Sequence, residues 1–225
     1  MTKKQIINYI VIPSITICVS LVFGFIFNDI ILGGSTLIFG FLNAYYMAVG
    51  KPCNYIFGIL FSITYAIECY NNGLYGFVIF TLLVYTPIQI FGIINWIRHK
   101  SESAVLMRSL TLLHGIYLTA LLVVSSFGLG LLLSLIPGQN LAFLDSSSQI
   151  VNLCGVVLVA IRFREAWYVW LVNNVIDLII WIVRLSVNAV NAPMALIVSI
   201  MYLIMNIIGI IMWIKIEKQQ KEQIW

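Results

Sequence analysis

Charge is what this sequence has least of. Only 9% of its 225 residues are Asp, Glu, Lys or Arg, against about 25% in a soluble domain. That shortage, with 62% hydrophobic residues and a mean hydropathy of +1.05, excludes an ordinary water-facing globule. Histidine is nearly missing, with two in the chain. The four cysteines, Cys18, Cys53, Cys69 and Cys154, stand singly, so there is neither a zinc-ligand spacing nor a disulfide framework, and they read as small packing residues. No HExxH, no Gly-rich phosphate loop and no Ser/His/Asp or Cys/His constellation is present, which argues against an enzyme and against a bound cofactor or metal. The alternation of a membrane β-barrel is missing as well. The net charge of +4 needs no nucleic acid as partner, because the basic residues sit in loops where they face anionic lipid.

What is there is apolar runs of membrane-crossing length. Turn signals rich in Gly, Pro, Asn and charge divide the chain into eight segments, about 6–27, 31–49, 54–71, 74–97, 109–136, 147–162, 166–187 and 192–214. The first, preceded by Lys3 and Lys4, is too long for a signal-peptide core and lacks a clear cleavage site, so it reads as a membrane helix. With eight spans, Lys3, Lys4, Lys51, Arg98, Lys100, Arg108, Arg162, Arg164, Lys215, Lys218 and Lys221 all fall on one side, and only Arg184 lies towards the other. This positive-inside pattern places both termini of a multi-pass protein in the cytoplasm.

The chain also repeats itself. Residues 85–98 read YTPIQIFGIINWIR and residues 202–215 read YLIMNIIGIIMWIK, with seven of fourteen positions identical. Both copies end a span on the same side, so the repeated unit has one orientation. Segments 2–4 and 6–8 then form two parallel three-helix units joined by segment five, an architecture that places a site between the units near the membrane midplane. Tyr85, Gln89, Gly92 and Trp96 are spaced 4, 3 and 4, as are Tyr202, Asn206, Gly209 and Trp213, so each set is one helical stripe. The glycines allow close helix approach. Trp96 and Trp213, each followed two positions later by a basic residue, read as interfacial anchors. Gln89 and Asn206 lie two turns inside the membrane, as ligand contacts or as interhelical glue.

Segment seven holds the densest polar face. Trp167, Trp170, Asn174, Asp177 and Trp181 are spaced 3, 4, 3 and 4, with Asn173 at the edge. Aromatic faces beside amides and a carboxylate suit a small ligand with a π-face and hydroxyls. The competing reading for Asp177 is an ion pair with Arg184 or a protonated carboxyl bonded to a neighbouring helix; for Trp181 it is packing. Segments two and three offer Asn43, Tyr46, Asn54, Ser62, Tyr65 and Glu68. Of these Tyr65 is a site candidate, while Glu68 reads as a solvated group near the outer mouth. His114 reads as a satisfied core histidine.

The stretches GKPCNYIFGIL (50–60), YTPIQIFGIINW (85–96), Leu144-Asp145 and above all EAWYVWLVNN (165–174) resemble the PnuC family of bacterial vitamin transporters, over about residues 30–216. The resemblance implies a 3+1+3 fold like that of the SWEET sugar transporters, with segment one added in front. It also implies a homotrimer and facilitated diffusion of one unphosphorylated molecule, which a cytosolic kinase then traps. Nicotinamide riboside heads the substrates; thiamine, riboflavin and deoxynucleosides follow. The Trp-x-x-x-Asn motif of the family matches Trp170, which would pack on the ligand ring, and Asn174, which would bond to it; Gln89 would be a third contact. Asp177 has no secure match in the family pattern. A carboxylate there favours the cationic ring of nicotinamide riboside or thiamine.

The expected molecule is thus an all-α membrane protein of eight helices. It comprises an N-terminal helix (1–29), a first repeat (30–100), a linker with the central helix (101–140), a second repeat (141–216) and a cytoplasmic tail (217–225). Its candidate substrate-binding residues are Trp170, Asn174, Gln89, Asn173, Asp177, Asn206, Trp167, Tyr85, Tyr202 and Tyr65. The rival readings are the same fold with another vitamin or a deoxynucleoside, and proton-coupled transport through Asp177.

Overall fold

A computed structural model describes residues 11–99 and 105–222. Lys3, Lys4, Lys100 and the first residues of segment one lie outside the described residues. Among those described, eight helices follow one another: α1 (Ile12–Ile26), α2 (Leu32–Ala48), α3 (Asn54–Asn71), α4 (Tyr75–Arg98), α5 (Leu112–Leu133), α6 (Ala142–Ala160), α7 (Ala166–Ser186) and α8 (Ala192–Glu222). Five of them, α4 to α8, are long and apolar enough to cross a membrane, and α1 is a shorter apolar helix. Each matches one predicted segment. α6 begins five residues earlier than expected, at Ala142, because Asp145 and Ser146 are buried in its first turns and not in a loop. α8 runs on through residues 217–222.

Helix ends follow elementary rules. The turns after α2 and α3 are closed by left-handed Gly50 and Gly73, and those after α1 and α7 by left-handed Asn28 and Asn188, residue types that tolerate this conformation at a helix C-terminus. Within α4, residues Thr81–Tyr85 form a π-helical turn directly before Pro87. Proline has no N–H to donate and its ring crowds the preceding turn, and a wider turn relieves both.

α2 packs on α3, α3 on α4, α4 on α6, α6 on α7, α7 on α8, and α8 back on α2. α1 lies on α2, and α5 on α6. The contacts between the two triples are built alike. Trp96 at the end of α4 donates its indole N–H to Val159 O in the last turn of α6 (2.8 Å), and Trp213 of α8 donates to Met47 O in the last turn of α2 (3.1 Å). Last-turn carbonyls have no partner within their own helix, so a buried indole N–H meets a ready acceptor there. Trp96 and Trp213 are 0% and 1% exposed and lie against each other with centroids 6.0 Å apart and ring planes tilted by 47°. They are therefore core residues and not interfacial anchors. Their position on the stripe of Gln89 and Asn206 turns them inward, and the basic residue that follows each does not change that.

Close packing at the glycines is as expected. The Tyr55 ring covers Gly92, where an added Cβ would come within 2.5 Å of it, and the Trp167 ring covers Gly209. On the basic face, the loop after α4 is clasped to the α6–α7 turn by Arg108 N–H to Arg162 O (2.9 Å) and Arg164 N–H to Arg108 O (3.1 Å). The Arg108 guanidinium sits 4.7 Å from the centre of the Phe163 ring. Burial, with Arg108 beside it, lowers the Arg162 pKa from its ordinary value.

Candidate functional site

α2, α3, α4, α6, α7 and α8 enclose a cavity with about 1170 Å³ of atom-free space, its open end included. All ten predicted site residues, Tyr65, Tyr85, Gln89, Trp167, Trp170, Asn173, Asn174, Asp177, Tyr202 and Asn206, line it. The 3.6-residue period explains this for α7, since one stripe can face only one direction.

Trp170 is held rigidly. Its indole N–H bonds Asn152 Oδ1 (3.0 Å), its ring covers Gly155, and it meets Trp167 edge-on at 5.8 Å. Asn174 Nδ2 bonds Tyr202 O (3.3 Å), which ties α7 to α8. Gln89 does two things: its Nε2 donates to Ser62 Oγ (3.2 Å), as glue between α3 and α4, while its buried Oε1 has no partner among the described residues. The same holds for Asn206 Oδ1, Asn173 Oδ1, Trp167 Nε1 and Tyr55 Oη. Five buried polar atoms without partners thus sit on residues that line one cavity. Each would cost about 1–3 kcal/mol if left unsatisfied, so the wall fits a ligand carrying several donors and acceptors.

Tyr85, Tyr65 and Tyr202 are more committed. The Tyr85 hydroxyl bonds Gln149 O and Gln149 Oε1, both at 2.9 Å, across the α4–α6 contact. Tyr65 Oη accepts the Trp181 indole N–H (2.6 Å) and its ring stacks on Phe61. Tyr202 Oη reaches Asn43 Oδ1 at 3.4 Å. These rings shape the wall, and Trp181, fully buried, is packing.

Asp177 makes no ion pair with Arg184. Its carboxylate accepts from Ser148 Oγ (2.6 Å) and Asn173 Nδ2 (2.8 Å), whereas Arg184 Nε lies 3.4 Å from Asn72 Oδ1. Seven positions are almost two turns of helix, about 10 Å along the axis, too far for two side chains that have nearer partners. Glu68 is no solvated mouth residue: it is 0% exposed, and neither carboxylate oxygen has a partner among the described residues. His114 is exposed at the start of α5, where Thr111 caps the helix and bonds the imidazole. Tyr46 packs against Phe57 and does not line the cavity.

Tyr55, Asp145, Ser148, Gln149 and Asn152 also line the cavity and escaped the sequence reading. A signal for Tyr55 exists. Tyr55, Gly58, Ser62, Tyr65 and Cys69 on α3 repeat the 3, 4, 3, 4 spacing of the α7 stripe. For α6, the polar Ser148, Gln149 and Asn152 inside an apolar run were the clue.

The profile of the family described as Nicotinamide mononucleotide transporter matches residues 30–215. The chain belongs to this family. Within it, the nicotinamide riboside transporter PnuC of Neisseria mucosa is 32% identical over 207 residues, covering 88% of this chain and 78% of the relative. The nicotinamide riboside transporter PnuC of Haemophilus influenzae is 26% identical over 186 residues, covering 80% and 77%. The crystal structure of the vitamin B3 transporter PnuC aligns with a TM-score of 0.81 at 28% identity, over 93% of this chain and 91% of that one. Family membership makes the chain a multi-pass membrane transporter and not an enzyme.

Proposed function

We propose that this protein takes up nicotinamide riboside by facilitated diffusion through alternating access, with the ligand bound in the central cavity. The observation that carries the reading is the convergence of five unpartnered polar atoms beside the rigid Trp170 indole. Trp170 stacks on the nicotinamide ring, Asn174 and Gln89 bond the carboxamide or ribose, and Asn173, Asn206 and Trp167 offer the remaining donors and acceptors. Tyr65, Tyr85 and Tyr202 shape the slot. The two relatives named above are nicotinamide riboside transporters, whereas the family's description names the mononucleotide. The cavity chemistry supports the riboside: among the described residues no Lys, Arg or His lines it, and two Asp do, a poor setting for a phosphate.

In this reading α2–α4 and α6–α8 are parallel repeats joined by α5, a 3+1+3 arrangement of the SWEET kind. The paired Trp96 and Trp213 contacts support that symmetry. The basic loops support a reading in which both termini lie on the cytoplasmic side of the inner membrane, where a kinase phosphorylates the riboside and prevents its return. A homotrimer is the proposed assembly.

The test is calorimetric titration of the purified protein with nicotinamide riboside, thiamine, riboflavin and a deoxynucleoside. Heat for nicotinamide riboside alone is the expected result, and Trp170→Ala or Asn174→Ala abolishes it while the protein remains folded. Heat only for another ligand moves the function to that ligand; unchanged affinity in both variants removes the site assignment.

A further inference from the structure

Among the described residues the cavity is lined by two carboxylates and no basic side chain, and its two carboxylates are not equivalent. Asp145 is 1% exposed and spends its oxygens on structure: Gly76 N–H (3.0 Å) and Gln139 Nε2 (2.9 Å) bond one, Gln149 Nε2 (3.1 Å) the other. It thereby caps the start of α4 from α6, where first-turn N–H groups lack helical partners. Asp177 is partly exposed, and each of its oxygens accepts one bond, from Ser148 and from Asn173. A carboxylate has about four acceptor positions, so Asp177 keeps capacity directed at a ligand. It stands on the same α7 stripe as Trp170 and Asn174, one turn beyond Asn174.

We infer that Asp177 is the charge-selecting residue of this transporter. It recognises the positive charge of the pyridinium ring and rejects ligands that lack that charge or add a carboxylate. Resting on the substrate reading above, this adds what that reading leaves open, since amide contacts do not read ring charge and the Trp170 face alone favours a cation by only about 0.5–1 kcal/mol, a few-fold in affinity. The physical basis is a carboxylate held in place by two donors, inside a wall without counter-charge, where a low dielectric strengthens its attraction for a cation. Ser148 and Asn173 are its positioning residues.

Three ribosides separate the contributions: oxidised nicotinamide riboside (cationic ring), its dihydro form (neutral ring, same carboxamide and ribose) and nicotinic acid riboside (cationic ring plus carboxylate). Titration of the purified wild-type protein is expected to show the cation preferred over the dihydro form by about tenfold or more, with nicotinic acid riboside weakest. Asp177→Asn keeps size and an acceptor for Ser148. It is expected to cut the preference for the oxidised form to the few-fold that the Trp170 face supplies, while still binding both forms. Ser148→Ala is expected to reduce the preference without abolishing it.

Equal affinity for the two forms in the wild type, or a preference undiminished in Asp177→Asn, overturns the charge role and leaves the substrate reading standing. Failure of the wild type to bind any of the three overturns both. If Asp177→Asn does not fold, the wild-type ratio between the oxidised and dihydro forms still decides.

Discussion

Gln89 is proposed to serve packing and binding together. Its amide nitrogen holds Ser62 while its buried carbonyl oxygen has no partner among the described residues. Gln89→Ala is therefore expected to weaken nicotinamide riboside binding by more than about 1 kcal/mol, read by calorimetry, and to lower the melting temperature as well through the lost α3–α4 bond. Intact affinity with lost stability would make it glue only. Glu68 stands apart from this chemistry. It lies on α3 beside cavity-lining Cys69 but is not itself in the cavity wall, and its burial was invisible in sequence because a carboxylate near a helix end ordinarily reaches water.

Among the elements, α4 and α8 do matching work. Each brings a glycine under an aromatic ring from the helix before it and an indole onto a last-turn carbonyl of the facing triple. Trp96→Phe and Trp213→Phe keep the ring and lose the N–H, so each is expected to cost about 1 kcal/mol. Trp96→Ala, which empties a fully buried site, is expected to cost about 3–5 kcal/mol. Denaturation of the purified protein with and without ligand measures this; equal stability of Trp96→Ala and wild type would mean that the Trp pair does not hold the triples together. The π turn before Pro87 lies one helical turn from Gln89 and includes Tyr85, so a helix irregularity and the binding wall coincide.

For the molecule as a whole, six helices close around a cavity that has aromatic, amide and carboxylate walls and, among the described residues, no basic side chain. Phosphate would enter that cavity against two carboxylates. Nicotinamide mononucleotide is accordingly expected not to compete with radiolabelled nicotinamide riboside in vesicles, at concentrations where unlabelled riboside competes fully. Competition by the mononucleotide would return the function to the substrate that the family is named for.

Some of this was determined by the sequence alone. The scarcity of charge dictates a membrane protein, because so much apolar surface has no other stable solvent. Apolar run lengths and turn residues mark the eight helices, and the stripes on α7, α4 and α8 name the side chains that share a face, since helical period is local geometry. Tertiary structure decided what each stripe meets. Trp96 and Trp213 look like anchors by neighbourhood in sequence and became core because the two triples face each other there. Asp177 could have paired with Arg184, and found Ser148 and Asn173 because α6 packs beside α7. Glu68 was buried by how α3 sits among its neighbours, and Gln149 and Asn152 entered the site for the same kind of reason. Which partner a polar group finds depends on which helix lies across from it, and that is set by packing over the whole chain.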